Sequence, residues 1–307
     1  MNIIETMSTA FSTIIKKIWL LVIPVALDLF LWLGPKVSVA PLVNDFMAII
    51  QQGLSSASAT AQTSNADLVS SLLPELQATL ESTNLLALLA WGRVGVPSIS
   101  GLLPITPQNW LVLQISTPLQ MVGIELAILA LGLFLACILI GMISQAVRGE
   151  GFNLRQVLRR APSHWLYLVL LYVPLSILLF MALGLGLLLG PLMFLLLGGI
   201  LWISLYLFFV PQAVILSDAS PLEALRDSFI IVRLNFWSSL GLVLLVYLIS
   251  GGFGLIWSRL TFSPVGIIGS ILANAFVGTG LLAATCFFYR DRMIKWQQIL
   301  QQHKMST

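Results

Sequence analysis

Charge is scarce in this chain. Across 307 residues, Asp, Glu, Lys and Arg together make up 9%, against roughly 25% in soluble domains. That scarcity excludes a cytosolic enzyme, a nucleic-acid binder and a disordered regulator, because each needs a polar skin or a charged chain. Cysteine is nearly absent as well. Cys137 and Cys286 both stand inside long apolar runs, where they serve as small packing residues and not as a disulfide framework or a thiolate metal site. The two histidines, His164 and His303, stand apart, with no carboxylates or thiols at metal-ligand spacing. We expect no metal, no cofactor and no catalytic set, since no nucleophile has a base at hand.

Apolar side chains fill the space that charge leaves. They make up 58% of the chain, and the mean hydropathy is +0.99, so lipid must cover much of the outside. A bilayer core of ~30 Å takes about 20 helical residues, and charge-poor stretches of that order recur along the chain. They lie at residues 18–34, 118–146, 165–217, 236–257 and 265–289. The third is long enough to cross twice, and Gly190–Pro191 supplies its break. The fold class expected is therefore an all-α integral membrane protein with six transmembrane helices.

Basic residues near helix ends resist translocation and so fix orientation. With both termini inside, the inner segments hold Lys16, Lys17, Arg148, Arg155, Arg159, Arg160, Arg226, Arg233, Arg290, Arg292, Lys295 and Lys304, while the outer ones hold only Lys36, Arg93 and Arg259. Trp19, Trp165, Trp237 and Tyr289 fall at inner ends, and Trp32 and Trp257 at outer ends, as interfacial aromatics do. Ser38 and Ala40 resemble a signal cleavage site, but Lys36 intervenes and Asp28 interrupts the apolar run, so the first segment is taken as a span. The pattern fits a bacterial-type plasma membrane, the inner membrane. Four regions follow: residues 1–34 (N-terminus and first span), 35–117 (outer segment), 118–289 (the remaining five helices) and 290–307 (basic cytoplasmic tail).

The outer segment is too long for a plain connection. Leu42, Val43, Phe46, Met47, Ile50 and Leu54 recur at helical spacing, which predicts an amphipathic helix over residues 41–54. Residues 55–66 are a Ser/Ala/Thr/Gln linker, and Leu68, Leu72, Leu76 and Leu80 mark a second amphipathic helix. Residues 110–115 read as a short extended piece. The two helices either lie on lipid and cap the bundle or form a substrate-collecting lid.

Ionisable groups in lipid cost ~2.5 to 3.5 kcal/mol on insertion scales, so Asp28 and Glu125 are candidate intramembrane sites. Both fall in the outer half, where they either share a proton or merely hydrogen-bond helices together. Asn274 is the third candidate. It shares one face with Gly266, Ser270 and Gly278, a spacing that suits close helix packing or a wet pathway.

Two inner stretches, residues 153–165 and 220–237, read as amphipathic helices leading into the next span, with matching cores at residues 158–161 and 225–228. Their charged residues, with Arg148, are the candidates for docking headgroups or a partner. These are Arg148, Arg155, Arg159, Arg160, Glu223, Arg226 and Arg233.

The run from Pro211 through Gln212 to Leu216, then Ser220, Pro221, Leu222, Glu223, Ala224, Leu225, Arg226, Asp227 and Ser228, and finally Arg233 to Trp237 resembles the membrane domain of glycerophosphoryl diester phosphodiesterases and its free-standing relatives. The similarity covers residues 118–290, and the long outer segment departs from it. The resemblance implies a six-helix membrane module without catalytic residues, and the diesterase barrel is absent. The function expected is a non-catalytic module that interacts with the bilayer, chiefly with anionic lipid headgroups, or scaffolds a membrane or cytoplasmic protein partner, with no role for nucleic acid. The alternative is a transporter or permease subunit, motivated by Asp28, Glu125, Asn274 and an inner loop able to dock an ATPase.

Overall fold

The structure is a computed structural model, and it describes residues 1–45, 47–48, 52, 84–90, 95–99, 112–189 and 193–306. Helix accounts for 84% of it, and five helices are long and apolar enough to cross a membrane. The protein is an all-α membrane protein.

The N-terminus is itself a helix. α1 (Ile3–Lys16) starts from a capping box in which Asn2 Oδ1 accepts the Glu5 amide and Glu5 returns a carboxylate to the Asn2 amide. Its buried stripe of Thr6, Ala10 and Ile14 packs along the last helix, α9 (Pro264–Ser306). Phe11 packs against Phe276 there with the rings tilted, and its ring fills the space over Gly280, where a Cβ would come within 2.4 Å of it. A 3-10 turn (Ile18–Leu21) leads into α2 (Val22–Leu33). Together they are shorter than a full bilayer crossing, so the first expected span is not among the five long ones.

The outer segment carries a feature other than helix: β1 (Lys36–Ser38) pairs in parallel with β2 (Val112–Gln114). The extended piece expected at residues 110–115 is thus a strand over part of its length. Asn84 ties this pair to the next element, because its Oδ1 accepts the amides of Val37 and Leu86. The 3-10 turn Leu85–Leu89 that follows lies against α3 (Pro118–Arg148), with the Leu89 carbonyl so close over Gly132 that a Cβ would stand 2.6 Å from it. Of the expected amphipathic helices, the first is helical over residues 40–45, 47–48 and 52, with Val43 and Met47 buried. The second, and the linker before it, lie outside the described residues.

α4 (Leu154–Leu189) runs unbroken through Pro162 and Pro174 and is about 54 Å long at 1.5 Å per residue. Residues 153–165 are therefore the first turns of α4, not a separate helix. Val157, Ala161, His164 and Leu168 are buried at helical spacing. That face packs on α3, where Val157 fills the space over Gly141 and the Trp165 indole donates to the Ala130 carbonyl. The expected break at Gly190–Pro191 lies outside the described residues, between α4 and α5 (Met193–Tyr206).

α5 gives way at residues 207–209 to the short buried helix α6 (Val210–Leu216). α7 (Pro221–Leu234) and α8 (Phe236–Leu260) follow, and α9 then runs for 43 residues, about 65 Å. The basic tail expected at residues 290–307 is the continuation of α9 as far as Ser306.

Candidate functional site

A group of charged side chains gathers where α3, α6 and α9 meet. Arg148, at the last turn of α3, donates to the carbonyls of Leu216 at 2.6 Å and Ile215 at 3.4 Å. It thereby caps the C-terminus of α6, whose carbonyls have no partner in the helix, and it lies 3.7 Å from Glu150. Arg290 of α9 donates in the same way to the Val147 carbonyl. Gln145 closes the loop that follows α3, accepting the Asn153 amide at 3.0 Å and donating to the Asn153 carbonyl at 3.1 Å.

Asp218 is the centre of the second group. It is the one non-glycine residue with positive φ among the described residues, at 51°. That left-handed turn lets its carboxylate reach back to α4, where one oxygen stands 2.9 Å from His164 Nε2 and the other accepts from Arg160 at 3.1 Å. Sequence reading set His164 aside as solitary and did not weigh Asp218. A local signal could have raised Asp218, since a short polar residue between a helix end and Ser220–Pro221 is where a left-handed turn is tolerated.

Arg155 and Arg159 are different. Both are exposed, one turn apart on α4, and among the described residues neither makes a hydrogen bond or an ion pair. With Asn153, Gln156, Arg160 and Ser163 they line an open groove along the helix surface.

The second inner stretch does not repeat this arrangement. Glu223 accepts the Ser220 amide at 2.9 Å and the Ser220 hydroxyl at 2.8 Å. The Ser220 hydrogen bonds hold its carboxyl below the usual range, with the Arg226 charge a smaller contribution. Asp227 is pushed the other way by burial, against the pull of Arg226. Arg226 thus stands among two carboxylates, and Arg233 is exposed near the helix end. On α9, Lys295 stands 3.0 Å from Asp291, and Arg292 lies over the Phe288 ring at 5.0 Å. Burial alone would raise the Asp291 carboxyl, yet Lys295 and the N-terminal amine hold it below the usual range.

Ser228 of α7 does structural work that sequence reading missed. It is fully buried, its hydroxyl donates to the Tyr206 carbonyl, and it accepts the Phe209 amide at 3.2 Å. Those are the backbone groups freed where α5 breaks before α6. Gln212, on α6, donates to Thr285 Oγ1 at 2.9 Å.

The three intramembrane candidates come apart. Asp28 is 0% exposed and faces the outer segment, accepting the Ser98 hydroxyl and the Ile99 amide. Glu125 is exposed on α3 and makes no hydrogen bond or ion pair among the described residues, so the two carboxylates are not paired with each other. Asn274 lies on the face of α9 that carries Gly278, where a Cβ would come within 2.3 Å of Pro97. Ile99 then packs on Trp257, Ile267 and Ile271. Residues 95–99 are therefore a strap seated across α9 and tied to α2. Around it the side-chain nitrogens of Trp32, Trp257 and Asn274 and the Ser270 hydroxyl are buried without a hydrogen-bond partner among the described residues.

The family described as "Domain of unknown function (DUF7847)" matches residues 85–291. The chain belongs to this family. The DUF7847 region opens at Leu85, so it takes in the turn over Gly132 and the strap as well as the bundle from α3 into α9. No curated protein and no solved structure matches the chain.

Proposed function

We propose that this protein is a non-catalytic membrane module that holds anionic lipid headgroups at its inner face. In this reading it crosses a bacterial-type plasma membrane six times, with both termini in the cytoplasm. The observation that carries it is the pair of exposed guanidiniums on α4, Arg155 and Arg159, which have no protein partner among the described residues. Juxtamembrane cations of this kind attract anionic headgroups by ~1 kcal/mol each. Support for the orientation comes from the sequence bias of basic residues and from the meeting of Arg148, Arg160 and Arg290 with the ends of α3 and α6. The resemblance of residues 211–237 to the membrane domain of glycerophosphoryl diester phosphodiesterases supports a module without catalytic residues.

The test is native mass spectrometry of the intact protein, released from membranes in mild detergent. The R155Q/R159Q/R160Q variant should lose most of its anionic lipid, and R226Q/R233Q should keep it. Equal retention by the first variant and the unaltered protein would end this reading. Impermeant thiol labelling of Asp67→Cys from outside, with Glu150→Cys protected until the membrane is opened, checks the orientation.

A second reading, a transporter or permease subunit, draws on the unpartnered polar atoms of Ser270, Asn274, Trp32 and Trp257 beside the strap. A wet pathway would use such groups. Full uptake by S270A/N274A, in a strain whose uptake depends on this protein, would sink it.

A further inference from the structure

We infer that the headgroup held at Arg155 and Arg159 is a phosphomonoester carried by a lipid, in preference to the singly charged phosphodiester of ordinary bilayer lipids. This rests on the headgroup reading above and gives it a chemical class.

The charge balance of the inner face comes first. Arg160 is neutralised by Asp218, and Arg148 is held by the α6 carbonyls and Glu150. Arg226 stands among Glu223 and Asp227, and Arg233 is a single exposed charge near the end of α7. On α4 that leaves Arg155 and Arg159, a pair of charges uncompensated among the described residues, one turn apart on the same face. Both side chains line the same open groove, so one anion seated there can meet both guanidiniums. A phosphomonoester offers up to two charges and three acceptor oxygens, enough for both forks. A phosphodiester, with one charge and two free oxygens, neutralises only one of them.

A lipid source, and not free phosphate, follows from what lies above the arginines. At spacings of three and four residues the same exposed face of α4 carries Arg155, Arg159 and Ser163, then Leu166 and Leu170, which are 55% and 64% exposed. One stripe thus begins with two cations and ends in apolar side chains, which matches a phosphate with acyl chains attached.

The experiment uses the full chain in mild detergent, offered phosphatidic acid and phosphatidylglycerol with identical chains at equal mole fraction and read by native mass spectrometry. Phosphatidic acid should be retained about fivefold better, the effect of one more charge met at a membrane surface. R155Q/R159Q should erase the preference, and R226Q/R233Q should leave it intact. Both pairs are exposed, and matching gel-filtration profiles check that the variants fold. Equal retention of the two lipids by the unaltered protein overturns the phosphomonoester assignment. If R155Q/R159Q/R160Q still loses both lipids in that case, the headgroup reading survives, and if it keeps both, that reading fails too. Displacement of phosphatidic acid by an equal concentration of inorganic phosphate overturns the assignment to a lipid source.

Discussion

Ser98 donates its hydroxyl to the buried carboxylate of Asp28 across 70 residues of sequence. The Ile99 amide adds a second donor at 3.2 Å. A carboxylate taken out of water needs such partners, and the strap at residues 95–99 supplies them. Asp28→Ala leaves the Ser98 hydroxyl and the Ile99 amide without their acceptor. It should lower stability by about 1–3 kcal/mol and speed proteolysis of the outer segment, both measured in detergent. Unchanged melting and cleavage would show that the strap is held by packing alone.

Glycines on α9 provide a graded test of the same seat. Gly278→Ala would set a Cβ 2.3 Å from Pro97, and Gly280→Ala would set one 2.4 Å from the Phe11 ring. Gly269→Ala meets no atom within 4 Å. We expect G278A to loosen the strap, G280A to loosen α1, and G269A to hold or gain a little stability from helix propensity. Thermal melts of the three side by side decide the matter, and three equal values would refute the packing described.

Ser228→Ala should destabilise by about 1–3 kcal/mol, because both the Tyr206 carbonyl and the Phe209 amide lose their partner in a dry interior. The Ser239 hydroxyl, also fully buried, has no hydrogen-bond partner among the described residues and provides the control. Ser239→Ala should be close to neutral. A melt of S228A that matches S239A would remove the bridging role.

Glu223 and Asp227 give opposite pH dependences. The folded state holds the Glu223 carboxyl below its ordinary value, so its cap contributes above the ordinary carboxylate range and is lost as pH falls through the lowered value. Asp227 is raised by burial, so its contribution is most favourable at low pH and is lost as pH rises through the carboxylate range. Melts between about pH 3 and 7 should therefore lose opposite slopes in E223Q and D227N. Two slopes of the same sign would contradict both assignments.

Much of the bundle was legible because lipid imposes a local rule: a span must be a long apolar helix. That rule located α3, α8 and the start of α9 to within a few residues. It failed where the determinant is remote in sequence. The partner of Asp28 lies on a strap that has no periodicity of its own, and two strands of three residues each are too short to show alternation. α1 was missed although its signs are local: Asn2 and Glu5 form a capping pair, and Ile3, Met7, Ala10 and Ile14 share one face. Glu223, expected to dock a partner, is engaged with Ser220 three residues before it, in the same Ser-x-x-Glu spacing. The arginines Arg148, Arg160 and Arg290 come together with Asp218 and with backbone carbonyls near the ends of α3 and α6. Which of the arginines stay uncompensated was set by Asp218 and by carbonyls of α6, and no sequence window contains that information.

The oxygen of Ser228 has a mechanical consequence. One atom, as both donor and acceptor, fastens the middle of α7 to the two backbone groups that flank the break between α5 and α6. The break is thus clamped by a side chain from a third helix. α7 also presents Leu222 and Phe229 on its exposed side. Through that one oxygen the position of α7 and the backbone at Tyr206 and Phe209 are tied to each other.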